Sequence, residues 1–71
     1  MLEKEIETMF TYHPPQGDQP ERYQAIRDAA KKFAMVVADN TRKGPDQTAA
    51  IRKLRECVMT ANAAIALEGK L

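Results

Sequence analysis

The side chains with the most chemical reach in this sequence are the aromatic ring of Tyr12 and the guanidinium of Arg27. Brought together, such a pair grips a nucleotide: the ring stacks on a base and the cation pairs with a phosphate. Lys31 lies four residues beyond Arg27, so on a helix both cations project from one side. His13, next to Tyr12, is a further candidate contact. The spacing equally fits a plainer arrangement, in which Tyr12 caps the core and Arg27 pairs with a surface carboxylate.

Catalytic chemistry is not suggested. An enzyme needs a positioned set of groups, and His13, the only histidine, precedes Pro14-Pro15. Cys57, the only cysteine, sits in an apolar stretch and reads as a packed core or interface thiol. One Cys and one His cannot supply four zinc ligands. Gly17, Gly44 and Gly69 are isolated, so no glycine-rich phosphate loop is present. The expectation is a binding protein that is not an enzyme and carries no cofactor.

Three helices must position these residues. Leu2, Ile6, Met9 and Phe10 fall on one face of a short helix over about residues 2 to 10. A helix this short is marginal alone and must dock. Tyr12-His13-Pro14-Pro15 then breaks the helix and stiffens the connection. Asp18-Gln19-Pro20-Glu21 reads as a capping box in its Asp form. It opens a second helix over about 19 to 40, with Tyr23, Ile26, Ala30, Phe33 and Val37 as a heptad-like stripe. Gly44-Pro45 is a stop signal. A third helix over about 46 to 67 carries Ile51, Leu54, Val58, Ala61 and Ile65 at the same spacing. The fold class is therefore all-α: a short N-terminal helix and an antiparallel two-helix hairpin in one domain, 1 to 71.

The whole chain sets further bounds. A chain of 71 residues buries only about 60% of its unfolded surface, so a single core is marginal. With disulfides and zinc excluded, partner subunits are the remaining stabilising device. From Cys57 to Leu67 the third helix is apolar almost all round, which predicts a subunit interface there. Its alanines permit close helix approach. The net charge of +1 argues against sequence-independent binding of DNA or RNA. No apolar run is long enough to span a bilayer, and the acidic N-terminus does not read as a signal peptide. A lone cysteine fits a reducing cytoplasm.

Three segments carry a resemblance: Phe10-Thr11-Tyr12-His13-Pro14-Pro15, then Arg22 through Lys31, then Leu54-Arg55 with Met59-Thr60-Ala61-Asn62-Ala63-Ala64-Ile65-Ala66. Over residues 10 to 67 the chain resembles the phage anti-CBASS cyclic-oligonucleotide sponges, related to the Thoeris anti-defence sponges. The resemblance implies a compact homo-oligomer, a hexamer. It implies binding of cyclic dinucleotides, including 3′,3′-cGAMP, in pockets between subunits, without cleavage and in the host cytoplasm during infection. Some such proteins also hold cyclic trinucleotides at separate sites on threefold axes. By resemblance Tyr12 and Arg27 form the dinucleotide pocket, with Phe10, Thr11, His13 and Lys31 near it. Arg27 stands where members often have lysine, which keeps the charge. Ala61, Asn62 and Ile65 would belong to a trinucleotide site or an interface. The chain departs from many relatives at Thr60, where they carry Trp, and some carry a basic residue near Leu67. The alternative is a helical protein-interaction module or inhibitor acting through the alanine-rich third helix.

Overall fold

The computed structural model describes residues 2 to 70, and among them every regular element is helical. Helix α1 spans Leu2–Phe10, α2 Gln19–Asn40 and α3 Pro45–Leu67.

α1 ends because its last carbonyls are taken by side chains. The Thr11 hydroxyl donates to the Glu7 carbonyl at 2.6 Å. The His13 Nε2–H donates to the Thr8 carbonyl at 2.8 Å. A carbonyl only accepts, so this bond fixes the proton on Nε2. Both bonds satisfy groups that a helix C-terminus leaves open.

The chain turns into α2 through Gly17, whose φ of 54° is costly for other residues. The Gln19 N–H donates to the Gln16 carbonyl across that turn at 2.9 Å. The expected Asp18 capping box does not form: no side-chain cap bond is present, and Asp18 sits at φ −88°, ψ 6°. A side-chain cap is made from extended backbone, and this ψ turns the carboxylate aside. It faces the Arg22 guanidinium at 3.3 Å instead. Pro20 is tolerated in the first turn, where its missing N–H would have no partner.

α2 and α3 run antiparallel and, among the described residues, form the one extensive contact between elements. Bonds at both ends fix that direction. Near the turn, the Gln47 amide of α3 donates to the Thr41 hydroxyl at 3.0 Å. At the open end, the Gln19 amide of α2 donates to the Ile65 carbonyl of α3 at 3.1 Å. The stripe Ile51, Leu54, Val58, Ala61 and Ile65 faces α2 and is buried or half-buried.

The α2 stripe differs from expectation at one place. Tyr23, Ile26, Ala30, Ala34 and Val37 are half-buried, whereas Phe33 is exposed. The reason is helical phase. At about 100° per residue, Ala34 falls roughly 20° from Tyr23, and Phe33 roughly 80°.

The single chain encloses little. Ile65, 6% exposed, is the one buried apolar side chain among the described residues. Leu2, Ile6, Met9 and Phe10 of α1 are all exposed, Phe10 by 83%, so the face expected to dock is bare. The radius of gyration is 15.3 Å, against about 11 Å for a compact chain of this length. The surface area is 6043 Å², where a compact monomer of 8.0 kDa would show about 4,500 Å².

Candidate ligand-binding site

The Tyr12 ring is held by its neighbours rather than by contacts of its own. Thr11 and His13 are each bonded to the last turn of α1, so the backbone is anchored on both sides of Tyr12. Pro14 and Pro15 follow and restrict the chain further. The ring is 79% exposed. It is an aromatic surface fixed relative to α1 and facing solvent, which is what a stacking platform requires. His13 itself is half-buried, with Nε2 spent on the Thr8 carbonyl. Its position supports Tyr12 more directly than it offers a ligand contact. Phe10 and Thr11 flank the same stretch and are exposed.

Arg27 lies on the outer part of α2, one residue after Ile26 of the core stripe. Its guanidinium donates to the Gln24 side-chain oxygen at 2.8 Å. Gln24 in turn donates to Asp28 at 2.8 Å. The expected alternative, a surface ion pair for Arg27, is absent among the described residues. The positive charge is oriented by a neutral amide and left uncompensated. Lys31 follows one turn later on the same side and is also exposed.

Both cations border a groove of about 280 Å³ between α2 and α3. Its floor is Ala30, Ala34, Ile51, Leu54 and Val58, with Met59 and Arg55 on the α3 side. Arg55 was missed as a site candidate by spacing within α2, because it sits on the other helix. The signal lies in its phase: Arg55 follows Leu54 as Arg27 follows Ile26. An apolar floor rimmed by three cations fits a ligand with flat bases and anionic edges. Tyr12 does not line this groove.

The α3 candidates divide. Ile65 is buried in the hairpin, and its carbonyl accepts from Gln19 and from the Glu68 N–H. Ala61 and Asn62 are half-buried, and the Asn62 side-chain oxygen is buried without a hydrogen bond. Cys57, read as a packed core or interface thiol, is exposed in the single chain, so it is not a core thiol of the hairpin. It borders a second groove of about 260 Å³ with Ile26, Ala29, Phe33 and Leu54. Met59, Ala63 and Ala64 are exposed as well.

A polar cluster at the open end of the hairpin was not foreseen. Gln19, only 7% exposed, accepts from the Gln16 N–H and donates to Ile65 and to Glu68. The Arg22 guanidinium donates to the same Glu68 carboxylate at 2.6 Å. The Gln19 amide, and then Arg22, hold the Glu68 carboxyl below the usual range, and Arg22 is raised in turn. Glu68 ends α3 with φ 45°, a conformation that costs a non-glycine residue about 1 kcal/mol. Nothing in the sequence flagged Gln19, because Asp-Gln-Pro-Glu reads as a capping box in which Gln19 has no role.

Among the described residues there is no cluster of metal-ligating side chains, and no helix is long and apolar enough to cross a membrane. No curated protein and no solved structure matches the chain. A family model does match, that of the Acb2/Tad1 hairpin domain, over residues 2–66. The helical hairpin, the bare aromatic and the uncompensated arginine thus belong to a member of the Acb2/Tad1 hairpin-domain family, the anti-CBASS and anti-Thoeris sponges, which sequester cyclic nucleotides by binding rather than by catalysis.

Proposed function

We propose that this protein sequesters cyclic dinucleotides such as 3′,3′-cGAMP in pockets formed between copies of itself and does not cleave them. Held ligand cannot activate the CBASS effector of the infected cell, whose cytoplasm is where a phage protein of this kind acts. The observation that carries the reading is Arg27: a cation without a carboxylate partner at the edge of an apolar groove, in a chain of the sponge family.

Symmetry supplies the rest. A twofold interface presents each residue twice. One Tyr12 and one Arg27 per chain become two rings and two cations, matching a ligand with two bases and two phosphates. The near-zero net charge is no obstacle, because the cations concentrate where copies meet. We extend the same logic to a hexamer, in which a threefold axis holds a cyclic trinucleotide near Ala61 and Asn62. Ile65 backs that surface from within the hairpin. Phe10, Thr11, His13 and Lys31 complete the surroundings of the dinucleotide pocket.

Titration calorimetry with 3′,3′-cGAMP tests this directly. Tight binding is expected, with intact ligand recovered on phenol extraction. No heat with any cyclic di- or trinucleotide would remove the reading. The exposed Met59, Ala63 and Ala64 favour a second reading, a protein-interaction module acting through α3. A stoichiometric host protein co-purifying without nucleotide would support it.

A further inference from the structure

The near-zero net charge conceals a separation of charge along the chain. Residues 1 to 21 carry Glu3, Glu5, Glu7, Asp18 and Glu21 against the single cation Lys4. Residues 41 to 55 carry Arg42, Lys43, Arg52, Lys53 and Arg55 against the single carboxylate Asp46. The second stretch holds the turn and the first half of α3, so positive charge is concentrated at the closed end of the hairpin. Two adjoining hollows open there on one face. The groove between α2 and α3 is bordered by Arg27, Lys31 and Arg55. A neighbouring hollow of about 340 Å³ is lined by Gln47, Thr48, Ile51, Arg52 and Arg55, so Ile51 and Arg55 belong to both. Among the described residues no carboxylate lines either hollow. Helical phase is the reason. At about 100° per residue, Thr48, Arg52 and Arg55 fall within roughly 60° on α3, and Arg27 and Lys31 within roughly 40° on α2. Asp28, Asp39, Asp46 and Glu56 fall at least roughly 70° further round. Arg42, Lys43, Arg52 and Arg55 are exposed, and none has a carboxylate partner among the described residues.

We propose that Arg52 and the turn cations Arg42 and Lys43 steer the anionic ligand toward the groove, setting how fast it is captured rather than how tightly it is held. The inference rests on the function proposed above. Arg52 lines the neighbouring hollow and not the groove, and Arg42 and Lys43 line neither. Cations that continue past a binding groove, with no carboxylates between them, draw a dianion along the row and raise its association rate. A sponge competes with an effector for each messenger molecule, so the speed of capture decides how much escapes. Distance sets the magnitudes. In water at about 0.01 M salt, a unit charge some 10 Å from a dianion changes the encounter rate roughly threefold, and one some 18 Å away roughly 1.5-fold. Arg52, one turn from Arg55, falls in the first range. Lys43, beyond the end of α2, falls in the second.

The test is stopped-flow capture of fluorescently labelled 3′,3′-cGAMP by the full chain, with excess unlabelled ligand to read release. For the unmodified protein, the association rate should fall about tenfold or more between 0.01 M and 1 M salt. Arg52→Glu with Lys43→Glu should slow association roughly fifteenfold at 0.01 M salt and leave it unchanged at 1 M, where the Debye length is about 3 Å. Its release rate should stay within about twofold of the parent at both. Lys32→Glu with Lys53→Glu changes the net charge equally, on sides of the helices turned away from the hollows. That variant should slow association only about fivefold at 0.01 M salt. Circular dichroism and light scattering confirm that fold and mass are kept, and the salt series on the unmodified protein stands if a variant fails to fold. An association rate insensitive to salt, equal slowing in the two double variants, or a loss that appears in the release rate would each overturn steering. Binding with any of those outcomes leaves the proposed function intact, whereas no binding by the unmodified protein removes both.

Discussion

Gln19→Ala is the substitution whose cost follows most directly from the structure. The side chain is 7% exposed and makes three hydrogen bonds. Two join neutral groups: the Gln16 N–H at 3.0 Å and the Ile65 carbonyl at 3.1 Å. Each contributes about 1 kcal/mol net. The third goes to the Glu68 carboxylate, whose side chain is 45% exposed, and solvent screening leaves little of it to count. The Ile65 carbonyl keeps a second donor, the Glu68 N–H at 3.2 Å, so it is not orphaned. The expected loss is about 2 kcal/mol, which lowers Tm by roughly 10 °C in a chain of this size. Thermal unfolding followed at 222 nm measures it, at fixed chain concentration because association shifts Tm. Gln19→Leu separates the causes by keeping the volume and losing the bonds. A loss under about 0.5 kcal/mol for the alanine variant, or full recovery with leucine, would refute the assignment of stability to these bonds.

The remaining predictions concern the site and its supports. Arg27→Ala should leave Tm nearly unchanged, because the guanidinium is exposed and bonded only to Gln24. It should weaken 3′,3′-cGAMP binding by about a hundredfold or more, since a twofold pocket loses two charge-assisted contacts of about 1.5–3 kcal/mol each. Calorimetry reads both the loss and its partial recovery in Arg27→Lys. Thr11→Val with His13→Phe removes the two bonds that anchor the backbone around Tyr12. Affinity should fall about tenfold while Tyr12 itself is intact, with the loss in entropy on titration. Stability should also depend on pH through Glu68. Its folded pKa lies below the unfolded value of about 4.3. The contribution is therefore complete above that value and lost as pH falls through the folded pKa. Urea midpoints should drop on acidification below about pH 4, and Glu68→Gln should flatten that part of the curve.

How much of this was legible in the sequence depended on how local the signal was. The all-helical hairpin was legible because two apolar stripes flank a Gly-Pro break, and each stripe declares its own face. Phe33 was misplaced because a stripe counted in alternating steps of three and four can be continued in more than one way. Choosing Ala34 over Phe33 takes the true helical phase. The capping box failed for a similar reason. Its residues were right, but the backbone angle at Asp18 is set by the Gly17 turn. Gln19 was invisible because its partners, Ile65 and Glu68, lie more than forty residues away. In the candidate site, the ring of Tyr12 and the charge of Arg27 were legible as side-chain chemistry, and the hydrogen bonds of Thr11 and His13 to the end of α1 were not. Those depend on how α1 ends, which no spacing encodes.

The hairpin also has a hinge and a mouth. The connection from Thr41 to Gly44 holds α2 and α3 together at one end, so their contacts close outward from it like a zip. The contacts nearest the turn are short-range, and helical folds rich in such contacts form in microseconds to milliseconds, faster than chains meet at low concentration. The last contact to close is the latch of Gln19, Arg22 and Glu68 at the mouth, and it is the first to open again in a fluctuation. The segment carrying Tyr12 leaves the hairpin at that mouth, while Arg27 lies two turns further in. Breathing of the latch therefore moves the ring and spares the cation. Amide exchange should be fast from Gln16 to Arg22 and slow from Ile26 to Val37, placing the adaptable part of the molecule at the aromatic end.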